Sequence, residues 1–224
     1  MGKSKSKGLI VAATAIEIAP LLESYKNQKK HRLPDVSILI TGIGLTATTY
    51  SLSRYLRMHK PDWIIQAGVG GCFSHDVKLG SVFAVKEDTI ADQSVVELGE
   101  LKTLFDLNLL PENQFPFHKG WLKNKSALLK KCRLKKVKAI SVNEITTSKK
   151  KVGFYEKQFN PVIESMEGAA LHYVCLMENI PFLQIRSVSN YIAERNKKNW
   201  DMKKSIQHLN NALVSILQNI NQHS

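Results

Sequence analysis

The segment Ser165-Met166-Glu167 places a hydroxyl, a thioether and a carboxylate side by side, directly before small residues that begin a helix. A carboxylate can accept two hydroxyl hydrogen bonds at once, which suits a ribose diol. A methionine offers a flexible apolar surface to the face of a sugar ring. The same residues also fit a helix-terminal glutamate and a core methionine, so the segment alone leaves both interpretations open.

Two further polar side chains stand where predicted strands end. Glu17 follows the strand Leu9–Thr14, where its carboxylate can project into a cleft or complement the dipole of the next helix. Asn190 closes the strand Phe182–Ser189, where its amide can meet the edge of a base or form a turn. Arg186 lies inside that strand and requires a polar partner, because a buried unpaired charge is costly.

Glycines follow the second and third predicted strands. The segment Gly42-Ile43-Gly44 begins a G-x-G-x-x-A pattern, but no acidic residue ends the following strand to hold an adenosine ribose. We therefore interpret these glycines as a tight turn with close helix packing rather than a dinucleotide site. The segment Gly68-Val69-Gly70-Gly71 is predicted to form a turn, which either brings the backbone close to a ligand or serves the chain reversal alone.

These residues depend on elements that alternate along the chain. We predict strands at Leu9–Thr14, Val36–Thr41, Trp63–Val69, Ser81–Glu87, Val137–Val142 and Phe182–Ser189, and helices at Ala15–Lys26, Leu45–His59, Glu167–Glu178 and Asp201–Asn221. The stretch Leu98–Lys136 is less regular and is interpreted as an excursion. Such alternation predicts an α/β fold with a largely parallel sheet and helices on its faces. Ligands of these folds bind beyond the carboxyl ends of the strands, where the polar residues lie.

The composition is that of an ordinary globular protein, since 43% of the 224 residues are apolar and 23% are charged. We expect one domain over residues 8–224, preceded by a basic segment, residues 1–7, without ordered structure. No run of eighteen apolar residues occurs, so no transmembrane helix or other membrane association is expected. The apolar stretch near the N-terminus soon meets Glu17, which argues against a signal peptide.

The cysteines and histidines argue against a disulfide framework and a metal site. Cys72, Cys132 and Cys175 are odd in number and widely spaced, which favours reduced thiols and a cytoplasmic location. The seven histidines form no HxxxH or HxH pair. We therefore expect no metal site built by the protein.

The net charge of +13 suits either attraction to a polyanion or a lysine-rich solvated surface. Aromatic residues do not alternate with the lysine clusters, as a groove for single-stranded nucleic acid would require. We favour the solvated surface and expect no specific nucleic-acid partner. A nonspecific nucleic-acid-binding protein remains the alternative outside the enzymes.

Four segments, in this order, resemble the purine nucleoside phosphorylase and nucleosidase superfamily: Glu17, Ala67–Phe73, Met166–Ala170 and Arg186–Asn190. Its members include the methylthioadenosine/S-adenosylhomocysteine nucleosidases and the futalosine hydrolases of menaquinone biosynthesis. The resemblance runs from about Leu9 to the last helix. It implies a single-domain three-layer sandwich around a mixed, largely parallel sheet, and a homodimer or larger homo-oligomer. It implies no cofactor or metal, since a protonated leaving group and an oriented water suffice for the chemistry.

The resemblance also implies roles for the matching positions. Glu17 matches the glutamate that positions or deprotonates the attacking water. Glu167 matches the carboxylate that binds the ribose hydroxyls, and Met166 matches the methionine against the sugar. The remaining predicted substrate-binding residues line the ribose and base pocket: Gly68, Val69, Gly70, Ile145, Ser165 and Ser189.

Asn190 departs from the adenine-specific nucleosidases, which carry an aspartate at this place. Adenine protonated at N7 presents two donors, whereas a 6-oxopurine presents the O6 acceptor beside N7. An amide can offer its NH2 group to O6, which a carboxylate cannot. Asn190 is therefore predicted to act in catalysis on a leaving group of hypoxanthine or guanine type.

The choice between water and phosphate as nucleophile rests on the loop after the first strand. The phosphorylases of the superfamily hold phosphate there with glycine and arginine, whereas this chain has Glu17 and no arginine before Arg32. We therefore predict hydrolysis, with futalosine as the substrate and hypoxanthine and dehypoxanthine futalosine as the products. A methylthioadenosine/S-adenosylhomocysteine nucleosidase is the first alternative, and a 6-oxopurine nucleoside phosphorylase is the second.

Overall fold

The computed structural model describes residues 7–26 and 36–222, so residues 1–6 of the predicted unordered segment lie outside the described residues. The strands are β1 (Gly8–Ala12), β2 (Val36–Ile40), β3 (Trp63–Cys72), β4 (Val82–Asp88), β5 (Ser94–Glu97), β6 (Glu100–Thr103), β7 (Phe117–His118), β8 (Trp121–Lys123), β9 (Lys136–Ser141), β10 (Ile163–Ser165) and β11 (Phe182–Tyr191). The helices are α1 (Ala19–Lys26), α2 (Leu45–Met58), α3 (Ala127–Lys131), α4 (Lys149–Phe159), α5 (Gly168–Met177) and α6 (Met202–Gln222).

Within the described ranges, nine strands form one mixed sheet, and β5 and β6 form a separate hairpin. Strand β1 lies between β2 and β3 and is parallel to both. Strand β3 continues in parallel to β11 and, at its end, pairs antiparallel with β10. Strands β11, β4, β9 and β10 then close a ring with β3. The predicted α/β fold with a mixed, largely parallel central sheet is confirmed.

Helices cover both faces of the sheet, because successive apolar side chains of its central strands point to opposite sides. On one face, the side chains of α1 and α6 pack against the sheet at Ile10 and Ile65. On the other face, those of α2 and α5 pack at Leu9 and Ile64. The three layers thus follow from a period-two apolar pattern in the strands and apolar stripes on the helices.

The predicted glycine turn Gly68–Gly71 is wrong, because these residues lie inside β3. Gly68 is the partner of Arg186 in the pairing with β11, and this register continues to Gly70. Strand β10 crosses so closely that a Cβ on Gly70 would lie 2.8 Å from the Glu164 carbonyl oxygen. The glycines therefore serve close backbone approach within a strand rather than chain reversal.

The structure also shifts the starts of two predicted helices. Helix α1 begins at Ala19 rather than Ala15, and residues 15–18 form a turn that contains Glu17. Helix α5 begins at Gly168, which leaves Glu167 at its N-cap position. Both carboxylates thus belong to loops at the carboxyl ends of strands.

Helix α4 and strands β5 and β10 were not predicted. The excursion Leu98–Lys136 contains β6, β7, β8 and α3 and meets the start of β9. None of the helices in the described part of the chain is both long and apolar enough to cross a lipid bilayer.

Candidate active site

A cavity of about 420 Å³ opens at the carboxyl ends of β1, β3, β10 and β11. Its volume is in the range of small-molecule sites. Nine of the predicted site residues line it: Glu17, Val69, Gly70, Ile145, Ser165, Met166, Glu167, Ser189 and Asn190. Gly68 is the remaining predicted residue and lies beneath the cavity. The carboxyl ends of the strands therefore bring together residues that are far apart in the chain, as predicted. Glu17 and Asn190 are separated by 173 positions.

Glu17 presents a firmly held carboxylate to the cavity. Its Oε2 accepts hydrogen bonds from the Thr14 backbone nitrogen at 3.0 Å and from Thr14 Oγ1 at 3.2 Å, and its Oε1 accepts one from the Val69 nitrogen at 3.1 Å. Asn210 of α6 donates its amide to the Glu17 carbonyl oxygen at 2.8 Å, which fixes the turn itself. A carboxylate has about four acceptor sites, so one remains to orient a water molecule.

Glu167 is held by a buried ion pair and by the glycine segment Gly42-Ile43-Gly44. Its Oε2 lies 3.2 Å from Arg186 Nη1, and its Oε1 accepts a hydrogen bond from the Gly44 nitrogen at 3.1 Å. The expected polar partner of Arg186 is thereby confirmed, and Gln66 Oε1 accepts a second guanidinium hydrogen bond at 2.9 Å. The free lone pairs of Glu167 remain available for two hydroxyl groups.

The Val69 peptide connects the two carboxylates. Its N–H donates to Glu17, while its carbonyl oxygen accepts a hydrogen bond from Arg186 Nη1 at 3.4 Å. Gly68 lies directly below, where a Cβ would collide with the guanidinium of Arg186 and come within 3.0 Å of Glu17 Oε1. Glycine at this position therefore leaves room for the side chains of Arg186 and Glu17 to lie next to each other behind the cavity.

The Asn190 amide has a fixed orientation. Its Nδ2 donates to the Tyr191 carbonyl oxygen at 3.1 Å, and its Oδ1 accepts from the Ser189 hydroxyl at 2.8 Å. Because a carbonyl oxygen only accepts, the NH2 group must face Tyr191. One amide hydrogen and one oxygen lone pair of Asn190 remain for a ligand.

The two predicted serines are engaged with the protein. The Ser189 hydroxyl orients Asn190, and the Ser165 hydroxyl accepts a hydrogen bond from the Gly168 nitrogen at 3.3 Å. Met166 and Ile145 line the cavity with apolar surface, and the Ile145 side chain is 45% exposed. The serines therefore position neighbouring groups, while these two side chains face the cavity.

Glu164 is a buried carboxyl that also lines the cavity and was not predicted from the sequence. Its Oε1 accepts a hydrogen bond from the Thr146 nitrogen at 3.2 Å, which holds the loop that carries Ile145. Burial raises the pKa of this carboxyl above its ordinary value. A charged residue directly after the short apolar run Val162–Ile163 was the available signal.

The donor set around the cavity does not suit a metal ion. Among the described residues, no group of three or more histidine, cysteine, aspartate or glutamate side chains is arranged to hold one. The cavity instead offers carboxylates beside an amide and an apolar wall. That arrangement can bind hydroxyl groups, orient a water molecule and contact a planar base.

Comparison with known proteins places this fold in a family. The model of the phosphorylase superfamily matches residues 10–220, and the chain therefore belongs to this superfamily.

Two named relatives are similar in sequence. A 5′-methylthioadenosine/S-adenosylhomocysteine nucleosidase of Haemophilus influenzae is 25% identical over 184 residues, which cover 79% of this chain and 75% of the relative. A futalosine hydrolase of Thermus thermophilus is 25% identical over 183 residues, which cover 80% of each chain.

Solved structures with these two names also share the fold. The futalosine hydrolase of Helicobacter pylori has a TM-score of 0.77 at 20% identity, covering 96% of this chain and 98% of its own. The 5′-methylthioadenosine/S-adenosylhomocysteine nucleosidase of the same species, with butyl-thio-DADMe-Immucillin-A, also has a TM-score of 0.77 at 20% identity, covering 97% and 100%.

Proposed function

We propose that this chain hydrolyses the N-glycosidic bond of a purine nucleoside and that futalosine is its substrate, as in menaquinone biosynthesis. The products are hypoxanthine and dehypoxanthine futalosine. The observation that carries this proposal is the pairing, in one cavity, of the carboxylate of Glu17 with the amide of Asn190.

Glu17 and Glu167 divide the work at the sugar. Glu167 accepts hydrogen bonds from the ribose hydroxyls, with the ring lying against Met166. Glu17 uses its remaining acceptor site to orient the attacking water, and it can take the proton that this water loses. Breaking the bond leaves positive charge on the sugar, which both carboxylates stabilise electrostatically.

Asn190 fits a 6-oxopurine leaving group. Its free amide hydrogen can donate to O6, while its oxygen accepts from a proton on N7. A 6-aminopurine protonated at N7 presents two donors, of which the amide can accept only one through its oxygen. An unpaired buried donor is costly, so this site discriminates against adenine.

Water is favoured over phosphate as the nucleophile because of the charges that line the cavity. Among the described lining residues, Arg195 is the basic side chain, and its guanidinium lies over the Trp200 ring at 5.7 Å. Arg186 is committed to Glu167 and Gln66. A phosphate beside Glu17 would meet a carboxylate, and Arg186 is not free to compensate for that charge.

The second candidate is a methylthioadenosine/S-adenosylhomocysteine nucleosidase. It is supported by relatives and solved structures as similar to this chain as the futalosine hydrolases are. The identity of the base that is released separates the two candidates.

The test is incubation of the purified protein, in buffer without phosphate, with futalosine, inosine and methylthioadenosine in separate reactions. We expect hypoxanthine from futalosine, identified by chromatography, and no product with the matched variant Glu17→Gln. Adenine from methylthioadenosine with futalosine left intact would overturn the substrate. Turnover that appears only after phosphate is added would overturn hydrolysis. Salt-sensitive retention of an oligonucleotide without any turnover would favour the nucleic-acid-binding alternative.

We also propose that the chain forms a homo-oligomer in the cytoplasm. Two apolar side chains at the cavity, Ile16 and Ile43, are 70% and 62% exposed, which suits cover by a second copy. Cys72, Cys132 and Cys175 are free thiols, which suits a reducing compartment. Light scattering should give a mass of two or more chains, and a monomer at assay concentration would contradict the assembly.

A further inference from the structure

The N-terminus of α5 places Glu167, yet Glu167 does not cap this helix with its own side chain. The first backbone N–H groups of a helix lack partners within the helix. Here two serines from neighbouring strands accept them: Ser165 Oγ accepts from the Gly168 nitrogen at 3.3 Å, and Ser141 Oγ accepts from the Ala169 nitrogen at 2.8 Å. The side chain of Glu167 is therefore free to face the cavity.

Asp88, the last residue of β4, supports this attachment of the N-terminus of α5 through Ser141. The Ser141 hydroxyl donates its only proton to Asp88 Oδ1 at 3.0 Å, which turns the oxygen lone pairs of Ser141 towards the Ala169 nitrogen. The Asp88 side chain is fully buried. A carboxylate is the stronger acceptor for the serine proton, so its charge strengthens the attachment of the helix.

Gly168 shows how closely Asp88 approaches the helix. A Cβ on Gly168 would collide with Asp88 Oδ2 and with the amide of Gln184. The carboxylate thus packs against the first residue of α5, at the end where the helix dipole favours negative charge. Among the described residues, Asp88 Oδ2 has no hydrogen-bond partner of good geometry.

We propose that Asp88 is a positioning residue for ribose recognition: its ionised carboxylate fixes the N-terminus of α5 and thereby sets Glu167 against the sugar hydroxyls. This inference rests on the proposed function of the cavity. An uncharged residue would suffice for folding alone, because an amide oxygen also accepts the Ser141 proton. The charge is therefore the feature that needs a functional reason.

The charge of Asp88 is also one that changes near neutral pH. Burial raises its pKa from 3.8 to about 6, against the hydrogen bond from Ser141 and the attraction of Arg186, which lower it. Arg186 on β11 is the cation that faces Asp88. From α5, the buried neutral ring of His172 reaches the same Gln184 amide. Protonation below about pH 6 removes the negative charge from the helix terminus.

The test is the pH dependence of kcat and KM for the wild type and Asp88→Asn, from pH 5 to 8.5. We expect wild-type kcat/KM to fall below about pH 6, and the variant to lack this limb. At pH 7.5 the variant should show a KM about tenfold higher with kcat nearly unchanged, the size expected for one charge-assisted hydrogen bond. The tenfold penalty should shrink with the 2′-deoxy form of the substrate, because that substrate lacks a hydroxyl that Glu167 binds.

Two further variants separate positioning from general damage. Ser141→Ala combined with Asp88→Asn should cost no more than the larger single effect, because both act on one attachment. Asp106→Asn removes a comparable carboxylate contact, to the Thr103 nitrogen and hydroxyl, outside the cavity, and should leave the pH profile unchanged.

A wild type without turnover of any nucleoside would count against the proposed function. An active wild type whose pH profile and 2′-deoxy response are shared by Asp88→Asn would overturn the role of Asp88.

Discussion

Replacement of Asp88 by asparagine should stabilise this protein at neutral pH, although we expect it to weaken substrate binding. In the folded chain the pKa of Asp88 is about 6, compared with an ordinary value of 3.8. Between these values the unfolded chain releases a proton that the folded chain retains. Folding stability is therefore lost as the pH rises through this window. At about 1.36 kcal/mol per pKa unit, the ionised Asp88 costs about 3 kcal/mol at pH 7.5.

His172 has the opposite effect on the acid side. Its Nδ1 lies 2.8 Å from the Leu122 carbonyl oxygen, and burial lowers its pKa from 6.5 to about 4. Below pH 6.5 the imidazole of His172 becomes protonated in the unfolded chain, whereas in the folded chain it stays neutral down to about pH 4. Stability is thus lost as the pH falls through that window, again by about 3 kcal/mol. In the wild type the contributions of Asp88 and His172 nearly cancel between pH 4 and 6.5.

Asp88→Asn should therefore have a gain in stability that depends on pH. The variant should be more stable by about 3 kcal/mol at pH 7.5, equivalent to roughly 6–12 °C in melting temperature for a domain of this size. The gain should vanish near pH 4. Between pH 6.5 and 4 the variant should therefore lose stability, whereas the contributions of Asp88 and His172 to the stability of the wild type nearly cancel. Urea unfolding of both proteins at pH 4.5, 6 and 7.5 measures the difference.

Comparing the two proteins at each pH removes the contribution of every other titrating group. A variant less stable than the wild type at pH 7.5, or a gain that is equal at all three pH values, would refute the reasoning. The first result would mean that Asp88 stabilises the fold through its contacts, and the second that its charge is not the cause.

Three substitutions in or next to the cavity test the other assignments. Glu17→Gln should lower kcat by at least about 100-fold while nucleoside binding, measured by calorimetry, persists; retained turnover would remove Glu17 from the mechanism. Asn190→Asp should shift kcat/KM towards adenine nucleosides, most strongly at acid pH, because an unprotonated carboxylate would face the Tyr191 carbonyl oxygen; an unchanged preference contradicts base reading by Asn190. Gly68→Ala should lower kcat/KM by displacing Arg186, and wild-type kinetics would refute that packing.

The order of elements could be predicted because the apolar pattern is strong where strands and helices are buried. The helix predicted at Leu45–His59 is found as α2, Leu45–Met58, since its apolar stripe and its end are both local features. The tight turn predicted for the glycines before it agrees with the φ values of Gly42 and Gly44, +84° and +96°, which glycine tolerates. The close packing predicted with it is not found at Gly44, where a Cβ would meet no atom within 4 Å. In contrast, β10 has three residues and no local pattern of its own. Its place depends on pairing with β9 and β3.

The cavity was predictable because its residues stand at strand ends, a position that the sequence marks. The hydrogen bonds and contacts that attach the N-terminus of α5 beneath the cavity were not predictable. Asp88 closes an apolar strand and Ser141 closes another, and only the pairing of β4 with β9 brings them together. In the same way, Gly168 is a small helix residue in the sequence, and its reason appears only when the Asp88 carboxylate occupies the space of its Cβ.

The buried charges around the cavity do not balance, which suits the proposed chemistry. The guanidinium of Arg186 contacts Glu167, a Cβ on Gly68 would meet both Arg186 and the carboxylate of Glu17, and Asp88 is near enough to Arg186 to be attracted by its charge. When all four groups are ionised, the negative charges exceed the positive one by two. Burying these carboxylates costs stability in an empty fold, and for Asp88 the cost is desolvation, which raises its pKa. In the proposed reaction the excess would become favourable as the sugar develops positive charge at the cavity, so we expect the groups that are costly to bury to lower the barrier to bond cleavage.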